Sequence, residues 1–261
     1  MAHSFSLSLA AVDILLDLGK LGPAPFPFEV PHLGTTHEQR AAIRDAVYRD
    51  LDSRGLMFRG RLDPDAEVAL RTFVASPVAI VAAGELDDGK PLFARVAADR
   101  QFAVLVQQKD NMLVFEEVRP TGIVPAIVDL LPLTSPGPGQ SVTVARPSRK
   151  PKPRHRQEDS YDPFAGVSGP RSQSSVSSQM RAIERIFEKP KLRIGQFTAF
   201  VRDDRGAEVD MSPLAWFDNE DGRYLVTMRD AEDGQQWVTY APADNARIGQ
   251  QLYSQVERYL S

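Results

Sequence analysis

The chain carries one pattern twice. A helix, four short strands and a second helix are predicted over residues 64–131, and the same string returns over 178–260. If the two strings are related, a pseudo-two-fold sets their sheets edge to edge. A single shared antiparallel sheet then hides two open edges, and the helices cover its faces. The expected fold class is α+β, with a central antiparallel β-sheet made of two quasi-symmetric helix–β-meander–helix halves.

The local signals are ordinary ones. Phe5, Leu7 and Leu9 alternate as a strand, and Val12, Leu15 and Leu16 follow at helical spacing. The proline-rich stretch from Gly22 to Pro31 excludes helix and central strand, and its Phe26 and Phe28 are expected to pin an extended loop to the body. Thr35-x-x-Glu38 and Thr36-x-x-Gln39 both have the spacing of a capping box. Ile43, Val47 and Leu51 form one stripe, closed by Gly55. Asp63-Pro64 sets an N-cap ahead of a proline at the first helical position. Strands are predicted at Val78–Leu86, Leu92–Ala97, Phe102–Val106 and Met112–Val118, with a turn at Asp87-Asp88-Gly89. A helix on Ile123, Ile127, Leu130 and Leu131 ends this half.

The second half opens with the stripe Met180, Ile183 and Phe187, and Pro190 stops it. A long strand covers Leu192–Arg202, with a turn at Asp203–Gly206. Ala207–Met211 and Leu214–Phe217 read as one strand broken at Ser212-Pro213. Tyr224–Met228 and Trp237–Tyr240 follow, then a last helix on Ile248, Leu252, Val256, Tyr259 and Leu260. Between the halves, residues 134–177 are rich in Pro and Ser and hold the basic run RPSRKPKPRHR, a composition that predicts a disordered linker. The organisation expected is therefore an N-terminal half over 1–133, a linker over 134–177 and a C-terminal half over 178–261, with both halves forming one domain.

Chemistry is hard to find. The chain has no cysteine, which removes disulfides, thiol nucleophiles and thiolate metal sites. The four histidines, His3, His32, His37 and His155, show no metal-helix spacing. Gly89-Lys90-Pro91 lies in a hairpin with no helix N-terminus behind it to hold an anion. Glu116 and Glu117 are neighbours in a strand, so they point to opposite faces. No catalytic residue, metal site or cofactor is expected. The net charge of −4 favours neither nucleic acid nor an anionic membrane. Asp13 and Asp17 interrupt the apolar N-terminus, which reads as part of the fold of a cytoplasmic protein rather than a signal peptide. Sheet faces and hairpin tips suit protein recognition. Trp216 and Trp237 are candidate interface anchors because aromatics dominate binding hot spots. The competing reading is a small-molecule enzyme with a pocket between the halves.

Several phrases, in order, resemble the EspG family: FSLSLAAVDILLDLGKLG, PFPFEVP, DLDSRGL, GRLDPDAEVAL, LDDGKPL, EEVRPTGIVPAIVDLLP and GPGQSVTV. The resemblance implies a cytosolic chaperone of type VII (ESX) secretion with a central antiparallel sheet, quasi-two-fold symmetry and flanking helical bundles. It implies a helical-hairpin client, PE/PPE-like or WXG-type, whose apolar tip the chaperone covers to keep it soluble for export. Apolar patches of several hundred Å² otherwise self-associate. No nucleic acid and no membrane insertion are expected, and the chain is expected as a monomer or weak homodimer. By this resemblance the hairpin loop of Leu86, Asp87, Asp88, Gly89, Lys90 and Pro91 is the candidate contact. It is short here, and the matching turn of the second half is Asp203–Gly206.

Overall fold

The computed structural model describes residues 4–147, 178–202, 206–230 and 235–260. Strand β1 (Ser4–Ser8) runs directly into α1 (Leu9–Leu18), and α2 (His37–Ser53) follows the proline-rich loop. A small hairpin, β2 (Met57–Phe58) and β3 (Arg61–Leu62), leads into α3 (Pro64–Ala75). The first meander is β4 (Val78–Glu85), β5 (Pro91–Ala98), β6 (Ala103–Lys109) and β7 (Met112–Val118), closed by α4 (Ile123–Val128). After β8 (Val142–Pro147), the second half holds α5 (Ser178–Glu188), β9 (Arg193–Arg202), β10 (Glu208–Asp210), β11 (Leu214–Asn219), β12 (Gly222–Asp230), β13 (Gln235–Pro242) and α6 (Asn245–Leu260).

The caps follow the sequence. Thr36 Oγ1 accepts from the Gln39 amide at 3.2 Å, while Gln39 Oε1 accepts from the Thr35 amide at 3.0 Å. The box is thus shared between two threonines. Asp63 accepts from the amides of Asp65 and Ala66, with Pro64 at the first helical position. Gly55 takes φ 71°, the left-handed conformation that ends a helix cheaply in glycine.

Eleven strands of the described residues form one antiparallel sheet in the order β1-β7-β6-β5-β4-β9-β11-β12-β13-β8, with β10 also on β9. The two meanders join through β4 and β9, from Val78↔Val201 to Glu85↔Ile194. Gly84 faces Gly195 across this seam, and a Cβ on Gly84 would sit 2.4 Å from the Ile194 carbonyl oxygen. β11 pairs with the first part of β9 and β10 with the last. Met211, Ser212 and Pro213 stand opposite only Thr198 and Ala199, a bulge at the predicted break. Pro213 fits there because it has no N–H for a ladder.

Both faces are covered. On one, α4 and α6 bring Ile123, Ile127, Ile248 and Leu252 down onto Ile80, Val96, Phe197 and Trp216. On the other, α1, α2 and α3 cover the first half through Leu15, Leu51 and Phe73. Over the second half, α5 sets Ile183 and Ile186 against Phe217, Tyr224 and Tyr240.

The structure differs from the sequence expectation over 134–147. This stretch is ordered on the sheet and is not linker. Pro136 bridges to Arg223, the Gly137 amide donates to the Arg223 carbonyl, and β8 pairs with β13 from Val142↔Tyr240 to Pro147↔Gln235. Gly137 is required because a Cβ there would enter the Tyr224 ring at 2.2 Å. Proline and serine around a strand of only six residues hide its alternating Val142 and Val144. The remainder of the predicted linker, 148–177, lies outside the described residues, as do 203–205 of the Asp203–Gly206 turn.

Asp13, the acid that breaks the apolar N-terminus, is buried in α1. Its carboxylate accepts from the Leu33 amide at 2.9 Å and from the Arg40 guanidinium, tying the proline-rich loop and α2 to α1. Burial alone would raise its pKa. The Arg40 hydrogen bond, the Leu33 amide and the nearby positive charge overcome that and hold it below the ordinary 3.8. A carboxyl depressed in the fold stabilises above its unfolded pKa, and the gain disappears as pH falls through the folded value. Acid titration of the melting temperature is therefore expected to show a loss below about pH 4 that Asp13→Asn lacks. Equal acid slopes in the two proteins would refute it.

Candidate partner-binding surface

The hairpin between β4 and β5 is a tight turn. The Leu86 amide donates to the Lys90 carbonyl at 2.8 Å, and the Lys90 amide to the Asp87 carbonyl at 3.2 Å. Asp88 and Gly89 both take positive φ, 57° and 71°. Aspartate tolerates that region better than most residues and glycine adopts it freely. Leu86 turns partly into the core, while Asp87, Asp88, Gly89 and Lys90 are exposed.

A polar cluster lies beneath this hairpin. Arg193, the first residue of β9, donates through Nε to Asp87 at 2.7 Å and through Nη1 to Asp218 at 3.1 Å. These bonds push the guanidinium pKa up, the Asp87 bond first, against the cost of desolvation. Asp218 and Arg223 are fully buried and joined by two bonds, 2.7 and 2.9 Å. Arg223 also donates to the Pro132 carbonyl at 3.0 Å and to Asn245, the first residue of α6. A buried guanidinium needs such a full set of acceptors, since its desolvation is otherwise uncompensated.

Two leucines border the same cluster. Leu133 is 90% exposed and lies between Pro132 and Thr134, both of which bond the cluster. Leu192 is 51% exposed, and its amide donates to the Asp218 carbonyl at 2.8 Å. Sequence reading missed both. By sequence pattern Leu192 falls in a strand and Leu133 at the end of the first half. A leucine set directly after Pro132, where the helical pattern stops, is the available signal for Leu133.

The tryptophans separate. Trp216 has no exposure and packs between the sheet and α6, with Gly195 leaving room for its indole. It belongs to the core and not to a surface. Its neighbour Phe217 points to the opposite face and is buried as well, because α5 covers that side. Alternation would expose one of the two only if one face were bare.

Trp237 is 41% exposed. It lies in an open groove of about 900 Å³ beside α6, among Thr143, Thr227, Thr239 and Arg229. Arg223 lies near the start of β12, close to the hairpin, whereas Arg229, opposite Trp237, lies near its end. At roughly 3.3 Å per residue this separates Trp237 from the hairpin by about 20 Å along the strands. The structure does not bring the candidate residues to one place. The groove is lined by β8 and the second half, away from the β4–β9 junction between halves. Among the described residues no three His, Asp or Glu side chains gather as a metal site. No described helix is long and apolar enough to cross a membrane.

The description of the EspG family matches residues 8–254. Among solved structures, the chain is similar to the Mycobacterium tuberculosis type VII secretion system chaperone EspG5, determined in complex with the PE25-PPE41 dimer. The TM-score is 0.61 at 14% identity, over 95% of this chain and 94% of that one, a likeness of fold. No curated protein sequence matches.

Proposed function

The chain belongs to the EspG family, and from that membership we propose that it is a cytosolic type VII secretion chaperone. In this reading it binds the apolar tip of a helical-hairpin client, PE/PPE-like or WXG-type, and keeps it soluble until export. The observation that carries the proposal is the near-full-length likeness to a chaperone solved with the PE25-PPE41 dimer. The matched runs of strands either side of the β4–β9 pair support reading the chain as two quasi-two-fold halves of one domain, with α1 to α3 and α4 with α6 as its flanking helical layers.

The hairpin end of the sheet suits the client best. Leu133 and Leu192 offer apolar contact, and Asp87, Asp88 and Lys90 provide a charged rim around it. Interfaces of this kind combine an apolar centre with a polar border. Trp237 is a second contact point for a client long enough to run along the sheet. The chain acts by covering its client, as a monomer or weak homodimer, and no bond is made or broken.

Co-expression with a helical-hairpin protein from a type VII secretion cluster is expected to give a soluble one-to-one complex by light scattering. The double variant L133E/L192E is expected to weaken that complex roughly 30-fold, as loss of hot-spot contacts does, with an unchanged thermal melt. Failure of every such client to bind would end the proposal. An unchanged affinity in the double variant would move the contact away from this end.

A further inference from the structure

The Asp87–Arg193 bond joins two different kinds of structure. On its outer side is a short turn, 58% exposed at Asp87. On its inner side, through Arg193 Nη1, is Asp218, which is buried and doubly bonded to Arg223, and Arg223 is in turn anchored to Pro132 and Asn245. We propose that Arg193 is a positioning residue that fixes the pose of the 86–90 hairpin against the buried Asp218–Arg223 pair. This rests on the reading that a client meets the hairpin, but the pose itself exists without one.

Three observations carry the proposal. First, the guanidinium is planar and its donors form a rigid fork, so bonding Asp218 with Nη1 fixes where Nε can aim. Asp87 lies on that line at 2.7 Å. Thr134 Oγ1 accepts from the same Nη1 at 3.3 Å and closes the remaining side. Second, two carboxylates meet two guanidiniums, so the network leaves no excess charge beneath an exposed loop. Third, the turn itself has little else to hold it, since Asp88, Gly89 and Lys90 are exposed and two backbone bonds close it. Turns with so little buried contact open locally at low cost. A hairpin held in one pose loses less entropy on meeting a partner than a loose one, and preorganisation of that kind raises affinity without adding a contact.

The test uses the full chain without client. Hydrogen exchange across 85–91 is compared in wild type, Asp87→Asn, Arg193→Gln and the double variant. Each single change is expected to speed exchange there by roughly three- to tenfold, the worth of one charge-assisted bond. The double variant is expected to match the worse single one, because both remove the same link. Arg193→Lys is expected to restore part of the protection. Asp87→Asn leaves the buried pair intact, so peptides over 131–134 and 245–250 are expected to stay as in wild type, which separates positioning from general loosening. If Arg193→Gln does not fold, Asp87→Asn alone decides. Unchanged exchange across 85–91 in these variants, or additive effects in the double variant, overturns the proposal. A loosened hairpin with unchanged client affinity upholds Arg193 as the anchor and overturns instead the placement of the client on the hairpin.

Discussion

Asp218→Ala is expected to lower stability by about 3–5 kcal/mol, the usual cost of removing one member of a buried ion pair. Asp218 is the shared acceptor for two guanidiniums, Arg223 and Arg193. Without it the guanidinium of Arg223, which has no exposure, is left with the Pro132 carbonyl, the Thr134 hydroxyl and Asn245 and with no counterion. At roughly 2–4 °C per kcal/mol for a chain of this size, the melting temperature is expected to fall by about 6–20 °C. Circular dichroism melts of the two proteins measure this. A fall of only a degree or two would show that another acceptor replaces the carboxylate, and the cluster would lose its central place. Asp87→Asn, at the exposed end of the same network, is expected to change the melt little, because an ion pair open to water contributes at most about 1 kcal/mol.

The second large effect is expected from Trp216→Ala, at about 3–5 kcal/mol, the range for truncating a buried aromatic. The indole fills the space between the β9 backbone at Gly195 and the helices above, and it lies 5.1 Å from the Arg223 guanidinium. Its Nε1 has no hydrogen-bond partner. Trp216→Phe removes that unpaired donor along with part of the ring, so it is expected to cost well under half as much as alanine. Urea unfolding of the two variants tests the order. Equal losses would mean that the second ring of the indole carries the packing. Because Trp216 touches Arg223, its effects and those of Asp218→Ala are not expected to add.

The alternation and turn chemistry of the two meanders were readable because each rests on neighbours in sequence. Asp87-Asp88-Gly89 marks a turn wherever it occurs, and Ser212-Pro213 marks a break in a ladder. Family phrases at LDDGKPL and EEVRPTGIVPAIVDLLP pointed to the same elements. What could not be read depends on distant partners. β8 is a strand because β13, about 95 residues later, supplies its ladder, and composition around GPGQSVTV gives no sign of that partner. Trp216 reads as a surface anchor until α4 and α6 are known to cover its face. Asp218 and Arg223 lie beside an ordinary turn in the sequence, and nothing local says that Pro132, Asn245 and Arg193 converge on them. Leu133 and Leu192 become a pair only once Asp218 and Thr134 draw their neighbours together.

β8 comes before α5 in the chain yet completes the sheet of the half that α5 begins, beyond β13. The halves are therefore interlocked as well as adjacent. A chain severed anywhere between 148 and 177 would yield two pieces of which neither owns all its strands. The first would carry β8 without the β13 it belongs to, and the second would lack both β8 and the β4 edge that β9 requires. Each piece would be a complement for the other rather than a module, so shuffling or fusing this protein must treat it as indivisible.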